Sequence, residues 1–305
     1  MYATAAFLFS VGGIVGKSIM QNGLGPLDFA PIRALTAAVL LFMWVALTKR
    51  SALRVTRAEA PRLALYGMVI FLFTQLLYIT AINNLPVAIG TLLAFMAVVY
   101  VAIWNWLRHG RKLDLPTGAA IVLSLLGALC ITGLIGGSLS GNITGLGLAA
   151  GIGCGIALTA YWMVGGALQR ERDATSLLMW AMIGVVVSWS IIKPWWNYPW
   201  EKVSGSVPLL IDHGPVLPVW FLIVFVAVFG TAVPFGLTLA SVARIGAQRA
   251  GIVGSLEPVF AAVVAFGLIG ESLGVLQLLG GLLILLGIII VESAAMRANR
   301  DDAVA

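Results

Sequence analysis

Glu257 and the adjacent Pro258 stand in a long apolar stretch that otherwise has the pattern of a membrane-spanning helix. A carboxylate is costly at that depth, and the proline lacks the N–H that would bond to the Gly254 carbonyl one turn earlier. A loosened turn beside an ionisable group is typical of transporter sites, which expose backbone groups to a solute. Gly254 and Ala261 share the Glu257 face, so the side chain is expected to face protein or an internal cavity. Bonding to a neighbouring helix is the structural alternative.

Two cations also lie at or inside apolar stretches. Lys17 shares a helix face with Ser10 and Gly13, which directs it inward, but its position near one end of the helix would also let it snorkel to the interface. We interpret Arg33, a few residues into the second apolar stretch, as a structural anchor. If Lys17 and Glu257 both line a cavity, they would offer opposite charges to a zwitterion such as an amino acid, and Glu257 could carry a coupled proton.

Aromatic and amide side chains beside ladders of small residues form a second group of candidates. Large rings in such places are consistent with walls or gates of a cavity, whereas packing or an interfacial belt is the more usual role of any single one. The residues concerned are Tyr78, Gln75, Trp104, Tyr161 and Trp162. The glycines that accompany them, Gly147, Gly151 and Gly155, and Gly254 beside Glu257, are interpreted as helix-packing positions.

Other chemistry is largely excluded by the residues present. His109 and His213 have no partner at metal-ligand spacing, and no phosphate-binding loop or nucleotide fingerprint occurs. Ser255 lies beside Glu257, yet no histidine lies at membrane depth to activate it. Cys130 and Cys154 fall in apolar stretches, where packing is the ordinary role. We therefore expect no metal, no cofactor and no enzymatic activity.

The elements that must position these residues are transmembrane helices. The chain has 305 residues, of which 61% are hydrophobic and only 10% charged, with a mean hydropathy of +1.04. A water-facing surface could not be built from this composition, so we predict an integral membrane protein. Because a span takes roughly 20 apolar residues, about ten spans fit. They are predicted at 3–20, 30–47, 63–82, 87–107, 115–135, 144–168, 176–193, 216–241, 247–269 and 273–292.

The cations predict an orientation. The net charge of +6 could suggest nucleic acid, but most of the 18 lysines and arginines fall in the connections after even-numbered spans and in the C-terminal tail. The opposite connections carry only Lys193 and Lys202. By the positive-inside rule, the protein is expected to be a multi-pass inner-membrane protein with both termini in the cytoplasm and the lipid bilayer, not nucleic acid, as its surroundings. The stretch "WWNYPW" in the longest polar connection is expected to anchor at the interface.

The chain also matches itself at an offset of 160 residues. Under it "GRKLDLPTGAAIVLSLLGALC" from Gly110 aligns with "GESLGVLQLLGGLLILLGIII" from Gly270. Five spans per unit is an odd number, so the second unit must enter the membrane upside down. Inverted repeats are a signature of secondary transporters, with the substrate site near the midplane. We predict a first five-helix unit at 1–140, a second at 141–293 and a tail at 294–305.

These features together resemble the EamA branch of the drug/metabolite transporter superfamily. The resemblance rests on Lys17, on "PIRALTAA" with Arg33, on "YITAINNLPVAIGTLLAFMAVVYVAI" and above all on "GSLEPVFAAVVAFGLIGESLG". The first unit departs from the pattern, since Ala97 and Val98 replace the Glu-Pro pair and Gly110-Arg111 replaces Gly-Glu. The resemblance implies a bundle of ten helices around a central cavity that exports or exchanges small metabolites without using ATP directly.

The sequence therefore favours a secondary carrier of small organic solutes, above all an exporter of amino acids or related metabolites working by alternating access. A multidrug or other metabolite carrier is the alternative within the same class. An intramembrane enzyme or a non-transporting membrane subunit is the alternative from another class. The solute, the direction of transport, ion coupling and the oligomeric state stay open.

Overall fold

The computed structural model describes residues 1–109, 115–132, 143–210, 214–245, 253–254 and 256–302. Within these residues the chain is almost entirely helical. The helices are α1 (Tyr2–Asn22), α2 (Pro26–Thr48), α3 (Ala60–Ala64), α4 (Leu72–Asn84), α5 (Val87–Phe95), α6 (Ala97–His109), α7 (Leu115–Thr132), α8 (Gly145–Leu168), α9 (Ala174–Ile192), α10 (Trp200–Ser204), α11 (Val219–Ala227), α12 (Val233–Ile245), α13 (Leu256–Ile269) and α14 (Val275–Asp302).

Ten apolar helical stretches can be assigned to spans in the described residues. Six are long and apolar enough to cross a membrane by themselves, and four shorter ones accompany them. Each coincides with one of the ten predicted spans, although the beginning of the ninth, at 247–269, falls partly outside the described residues. The predicted all-α membrane fold is confirmed, with span boundaries close to those expected.

Several spans are not continuous α-helices. A π-helical segment, Leu65–Phe71, joins α3 to α4 in the third span, and Val228–Ala232 joins α11 to α12 in the eighth. The fourth span breaks at Met96, between α5 and α6. Such wide turns and breaks are common at functional sites, because they redirect side chains within a helix.

One local backbone feature repeats at the offset of 160 residues. The π-helical segment of the third span, Leu65–Phe71, overlaps that of the eighth, Val228–Ala232, under this shift. The two halves therefore share this backbone feature as well as side-chain identities.

One end of the bundle carries the connection 193–218, which forms the only strands in the described residues. Strand β1 (Ser206–Pro208) pairs antiparallel with β2 (Val216–Pro218), with Val207 opposite Leu217. This hairpin was not predicted, because two three-residue strands bounded by prolines and glycines carry no alternation long enough to read. Val207 is buried and contacts the end of α1 near Gly23. We call this end the hairpin end.

The aromatic stretch in the same connection packs on itself. The ring centroids of Trp195 and Tyr198 lie 5.6 Å apart, and those of Tyr198 and Trp200 lie 4.8 Å apart. The Tyr198 hydroxyl donates to the Asp28 carbonyl at 2.7 Å, and Lys193 forms an ion pair with the Asp28 carboxylate. These bonds attach the connection to the start of α2.

The opposite end, which we call the arginine-rich end, is held by Arg172. Its guanidinium donates to the carbonyls of Ala52 at 2.7 Å and Arg54 at 2.6 Å, and it forms an ion pair with Glu59. Thr56 and Glu59 bond reciprocally, and the Thr56 N–H and hydroxyl lower the pKa of the Glu59 carboxyl. The connections 49–59 and 169–173 are thereby joined.

Glycines set the closest helix contacts in the bundle. A Cβ at Gly12 of α1 would lie 2.4 Å from the Gly230 Cα, in the second π-helical segment. Along α8, a Cβ at Gly147, Gly151 or Gly155 would lie 2.7 to 2.8 Å from Leu85, Leu93 or Tyr100 respectively. Small residues at these positions let the helices approach closely, as is usual in membrane proteins.

Replacing Gly12 by alanine is expected to destabilise the protein by about 1–3 kcal/mol, because the added methyl group overpacks the crossing with Gly230. Thermal unfolding of the purified variant in detergent measures this as a lower melting temperature. Gly166 is the matched control, since it is also helical and a Cβ there would meet nothing within 4 Å among the described residues. An unchanged melting temperature for Gly12→Ala would contradict the crossing.

Candidate functional site

Lys17 is a buried cation at the hairpin end of α1. Its side chain is 6% exposed, and its Nζ donates to the Leu85 carbonyl at 2.7 Å. The same Nζ forms an ion pair with Glu271. A buried ammonium requires such partners, because leaving it unpaired in an apolar bundle costs several kcal/mol. The buried lysine is therefore stabilised by Glu271, which lies 254 residues later in the sequence.

Glu271 lies in the turn between α13 and α14. Gly270, at φ +66°, provides the left-handed residue that turns the chain after α13. One Glu271 carboxylate oxygen pairs with Lys17, and the other accepts the Val87 N–H at 2.9 Å. Val87 is the first residue of α5, where unpaired backbone N–H groups favour a negative charge.

Lys17, Leu85, Val87 and Glu271 together form what we call the ion-pair clasp. Three of its members belong to the first half of the chain, and Glu271 belongs to the second. The clasp thus joins the two halves near the hairpin end. Opening this end at the clasp would separate the buried Lys17 ammonium from the Glu271 carboxylate, which is 17% exposed.

The structure places Lys17 differently from both sequence interpretations. Its ammonium does not snorkel to the interface, because the residue is buried and bonded inside the bundle. Nor does it offer a free charge to a solute carboxylate together with Glu257, since Glu271 already neutralises it. The expected pairing of Lys17 and Glu257 around a zwitterion therefore does not describe this conformation.

Glu257 lies deeper, against the middle of α1. It is 7% exposed, and its backbone carbonyl accepts the Ser10 hydroxyl at 3.1 Å. In the part of the chain that the structure describes, the carboxylate itself has no hydrogen bond or ion pair. On the same helix as Ser10, a Cβ at Gly13 would lie 3.5 Å from the Tyr78 hydroxyl. A buried carboxylate without a partner is unusual and expensive.

Glu257 and Pro258 both lie in α13, whose described residues run from Leu256 to Ile269. Residues 253–254 are helical as well, and Ser255, which separates them from Leu256, lies outside the described residues. Pro258 has no N–H to donate to the carbonyl one turn earlier. Gly254 packs against the Tyr2 ring, whose hydroxyl would lie 2.8 Å from a Cβ at that position.

A second polar group lies across the bundle, where α2, α4 and α5 meet. Arg33 donates to the Gln75 side-chain oxygen, and the Gln75 amide lies 3.4 Å from the Met182 sulfur. The Tyr78 hydroxyl lies 3.4 Å from the Thr91 hydroxyl. Gln75 and Tyr78 are three residues apart, so they share one face of α4. The structure brings these predicted site residues together.

Tyr161 belongs to an aromatic cluster nearer the arginine-rich end. Its ring stacks on Tyr66 at 5.2 Å and on Phe71 at 4.8 Å. Phe71 in turn meets Phe235 at 6.3 Å, and Phe235 meets Phe9 at 5.0 Å. The cluster combines rings from both halves, and it includes two residues of the first π-helical segment.

The two tryptophans among the predicted site residues lie elsewhere. Trp104 is 48% exposed, and Trp162 is 36% exposed with its ring edge-on to Phe95 at 6.5 Å. Neither contacts the polar groups around Glu257 or Arg33 in the described residues. Their placement matches the alternative interpretation, packing or an interfacial belt, better than a cavity wall.

Glu271 is the functional candidate that the sequence interpretation missed. The signal was available, since Glu271 is an isolated carboxylate in a turn predicted on the same side as the end of the Lys17 helix. Ser10 and Cys154 gave no such signal, because a serine and a cysteine in apolar helices are ordinary packing residues. The described residues contain no group of three or more side chains that could hold a metal ion.

Comparison with known proteins gives a consistent result. The model of the EamA-like transporter family matches residues 1–133 and again residues 145–293. The threonine/homoserine exporter RhtA of Escherichia coli K12 is 26% identical over 273 residues, which cover 89% of this chain and 85% of the exporter. The uncharacterized inner membrane transporter YicL of Salmonella typhimurium LT2 is 26% identical over 97% of this chain and 95% of its own length.

A solved crystal structure extends the comparison to three dimensions. It covers 97% of this chain and 96% of its own chain, with a TM-score of 0.63 and 14% sequence identity. At that identity, the likeness shows the fold alone.

Breaking the ion-pair clasp is expected to destabilise the protein. Lys17→Met and Glu271→Gln should each cost about 3 kcal/mol, since each leaves the other charge buried without its partner. The double variant should cost less than the sum, because no lone charge remains. Equilibrium unfolding in mixed micelles gives the three values.

Lys49→Met is the matched control for this cycle. Lys49 pairs with Asp173 at 3.3 Å, but the two side chains are 53% and 38% exposed. An exposed pair contributes only about 0–1 kcal/mol, so the control should be nearly neutral. Strict additivity of the Lys17 and Glu271 substitutions would show that the two charges do not interact.

Proposed function

Because the chain belongs to the EamA-like transporter family, we propose that it is a secondary carrier that exports amino acids or related small metabolites. Its family and its named relatives are transporters and not enzymes. The amino-acid part of the proposal draws on the threonine/homoserine exporter, whose name states its solutes. A multidrug or other metabolite carrier is the alternative within the same class.

The observation that carries the proposal is the ion-pair clasp together with the buried Glu257, whose carboxylate has no hydrogen bond or ion pair within the described residues. The clasp joins the two halves near one end, and Glu257 lies farther inside. Alternating access requires a seal that can break and a polar group that a solute can reach. A purely structural role does not require a buried carboxylate that the described part of the chain leaves without a partner.

The orientation belongs to the same proposal. Lys49, Arg54, Arg62 and Arg172 lie at the arginine-rich end, which we assign to the cytoplasm of the inner membrane together with both termini. The hairpin end and its clasp then face outward. An exporter in this conformation would hold its outer side closed through the clasp.

The alternating movement would come from two units of opposite orientation. We place them at 1–140 and 141–293, followed by a tail at 294–305. The double match of the family model and the overlap of the two π-helical segments at an offset of 160 support two units. The proposal includes a coupled proton on Glu257, and measurements of flux at different pH values test it.

Purified protein in proteoliposomes should exchange labelled L-threonine in counterflow, without any added subunit. Glu257→Gln should reduce the initial rate by about tenfold to a hundredfold, because a hydrogen bond to a charged group contributes about 1.5–3 kcal/mol. The pH dependence of exchange should flatten in the same variant if Glu257 carries the coupled proton.

Glu59→Gln is the control, since it also removes a carboxylate but at the arginine-rich end and outside the spans. It should exchange solute like the unmodified protein. If a broad panel of amino acids and other metabolites shows no flux above empty vesicles, the carrier assignment fails. If Glu257→Gln keeps both the rate and its pH dependence, Glu257 has no part in transport.

A further inference from the structure

Two groups of opposite charge face the interior from different halves of the chain. Arg33 stands on α2 in the first half, and Glu257 stands on α13 in the second. We propose that they form the two poles of a binding site for a zwitterionic amino acid, with Arg33 binding the carboxylate, Glu257 binding the ammonium and Tyr78 between them. This rests on the proposed carrier function and names its substrate class and its binding residues.

Arg33 has donors that its protein partners do not use. One terminal nitrogen donates to Gln75, and the guanidinium carbon lies 6.0 Å from the centre of the Phe29 ring. Its Nε is buried and has no partner in the described residues. A guanidinium presents five N–H groups in a planar fork that fits a carboxylate. Arg33 therefore has both the charge and a free donor for an incoming carboxylate.

Glu257 shows the opposite deficiency. The residue is 7% exposed, yet no described side chain or backbone group donates to its carboxylate. The backbone carbonyl is bonded by Ser10, so the position of the residue is fixed while its charge is left unpaired. An ammonium, with three N–H donors and one positive charge, is the complementary ligand.

Contacts across the bundle connect the two poles. Gln75, the partner of Arg33, shares a face of α4 with Tyr78. The Tyr78 hydroxyl lies 3.5 Å from where a Cβ at Gly13 would be, and Gly13 is one helical turn from Ser10, which bonds Glu257. Tyr78 is therefore linked to Arg33 through Gln75 and to Glu257 through the turn of α1 that carries Ser10 and Gly13.

The same contacts explain why Lys17 is not the positive pole. Its charge is already paired with Glu271, and its remaining bond goes to the Leu85 carbonyl. Replacing Glu271 by a solute carboxylate would break the clasp and would leave Glu271 buried without a cation. Arg33 can accept a carboxylate while keeping its bond to Gln75, because a guanidinium donates in several directions.

A zwitterion matches this arrangement better than any singly charged solute. An amine would neutralise Glu257 but leave Arg33 without an anion, and a simple acid would do the reverse. Only a solute with both charges compensates both Arg33 and Glu257. A solute with one charge leaves the other group unpaired, and this cost lowers its affinity. Selectivity against singly charged analogues is thus the property that the geometry predicts.

Binding to the purified protein in lipid nanodiscs tests this directly. The probes are L-threonine, its methyl ester, which lacks the carboxylate charge, and N-acetyl-L-threonine, which lacks the ammonium. L-phenylalanine and its two corresponding derivatives form a second set. We expect at least one of the two amino acids to bind about tenfold or more tightly than each of its own derivatives, measured by titration of thermal stability.

Substitutions then assign the poles. Arg33→Gln should abolish the preference for the amino acid over its methyl ester, and Glu257→Gln should abolish the preference over the N-acetyl derivative. Arg33→Lys keeps the charge and should keep part of the preference. Arg62→Gln, which removes an exposed arginine paired with Glu171, is the control and should change neither preference.

The outcomes separate this proposal from the function on which it rests. Equal binding of the amino acids and their derivatives by the unmodified protein overturns the zwitterion site, even if the variants fail to fold. So does retention of both preferences in folded Arg33→Gln and Glu257→Gln. Flux of a labelled metabolite in proteoliposomes would leave the carrier function standing in either case, whereas absence of any flux removes the function itself.

Discussion

The structure depends on one buried ion pair. Lys17 and Glu271 are separated by most of the sequence, yet each compensates the charge of the other inside an apolar bundle. The Leu85 carbonyl and the Val87 N–H complete their hydrogen bonding, so the turn before α5 is fixed by the same contact. Because the pair joins the two halves of the chain, its separation is the natural event by which the hairpin end would open.

Three groups of residues lie at successive depths along the axis of the bundle, beginning with that contact. The clasp lies near the hairpin end, the polar groups around Tyr78 and Glu257 lie farther in, and the ring cluster around Phe71 and Tyr161 lies nearer the arginine-rich end. The first π-helical segment contributes Tyr66 and Phe71 to that cluster, and Phe235 lies three residues after the end of the second. We propose that clasp and rings close opposite sides of the polar centre, which is what alternating access requires.

Much of the fold could be predicted, because apolar length and arginine placement report directly on spans and sides. The site was harder, since Lys17 could be recognised as inward-facing, but a carboxylate in a turn on the same side does not by itself identify its partner. Helix phase describes one helix at a time, whereas the pairing with Glu271 depends on how distant helices pack. Helix phase likewise could not predict that Trp104 is exposed or that the connection forms a hairpin.

Distances across the hairpin end test the central claim most directly. Spin labels at exposed positions 21 and 272, in a chain whose Cys130 and Cys154 are replaced by alanine, would flank the clasp on both halves. Pulsed electron resonance should find one short distance in the resting protein, and a second, longer population in the Glu271→Gln variant. A single unchanged distribution in both proteins would contradict the clasp as the contact that closes this end.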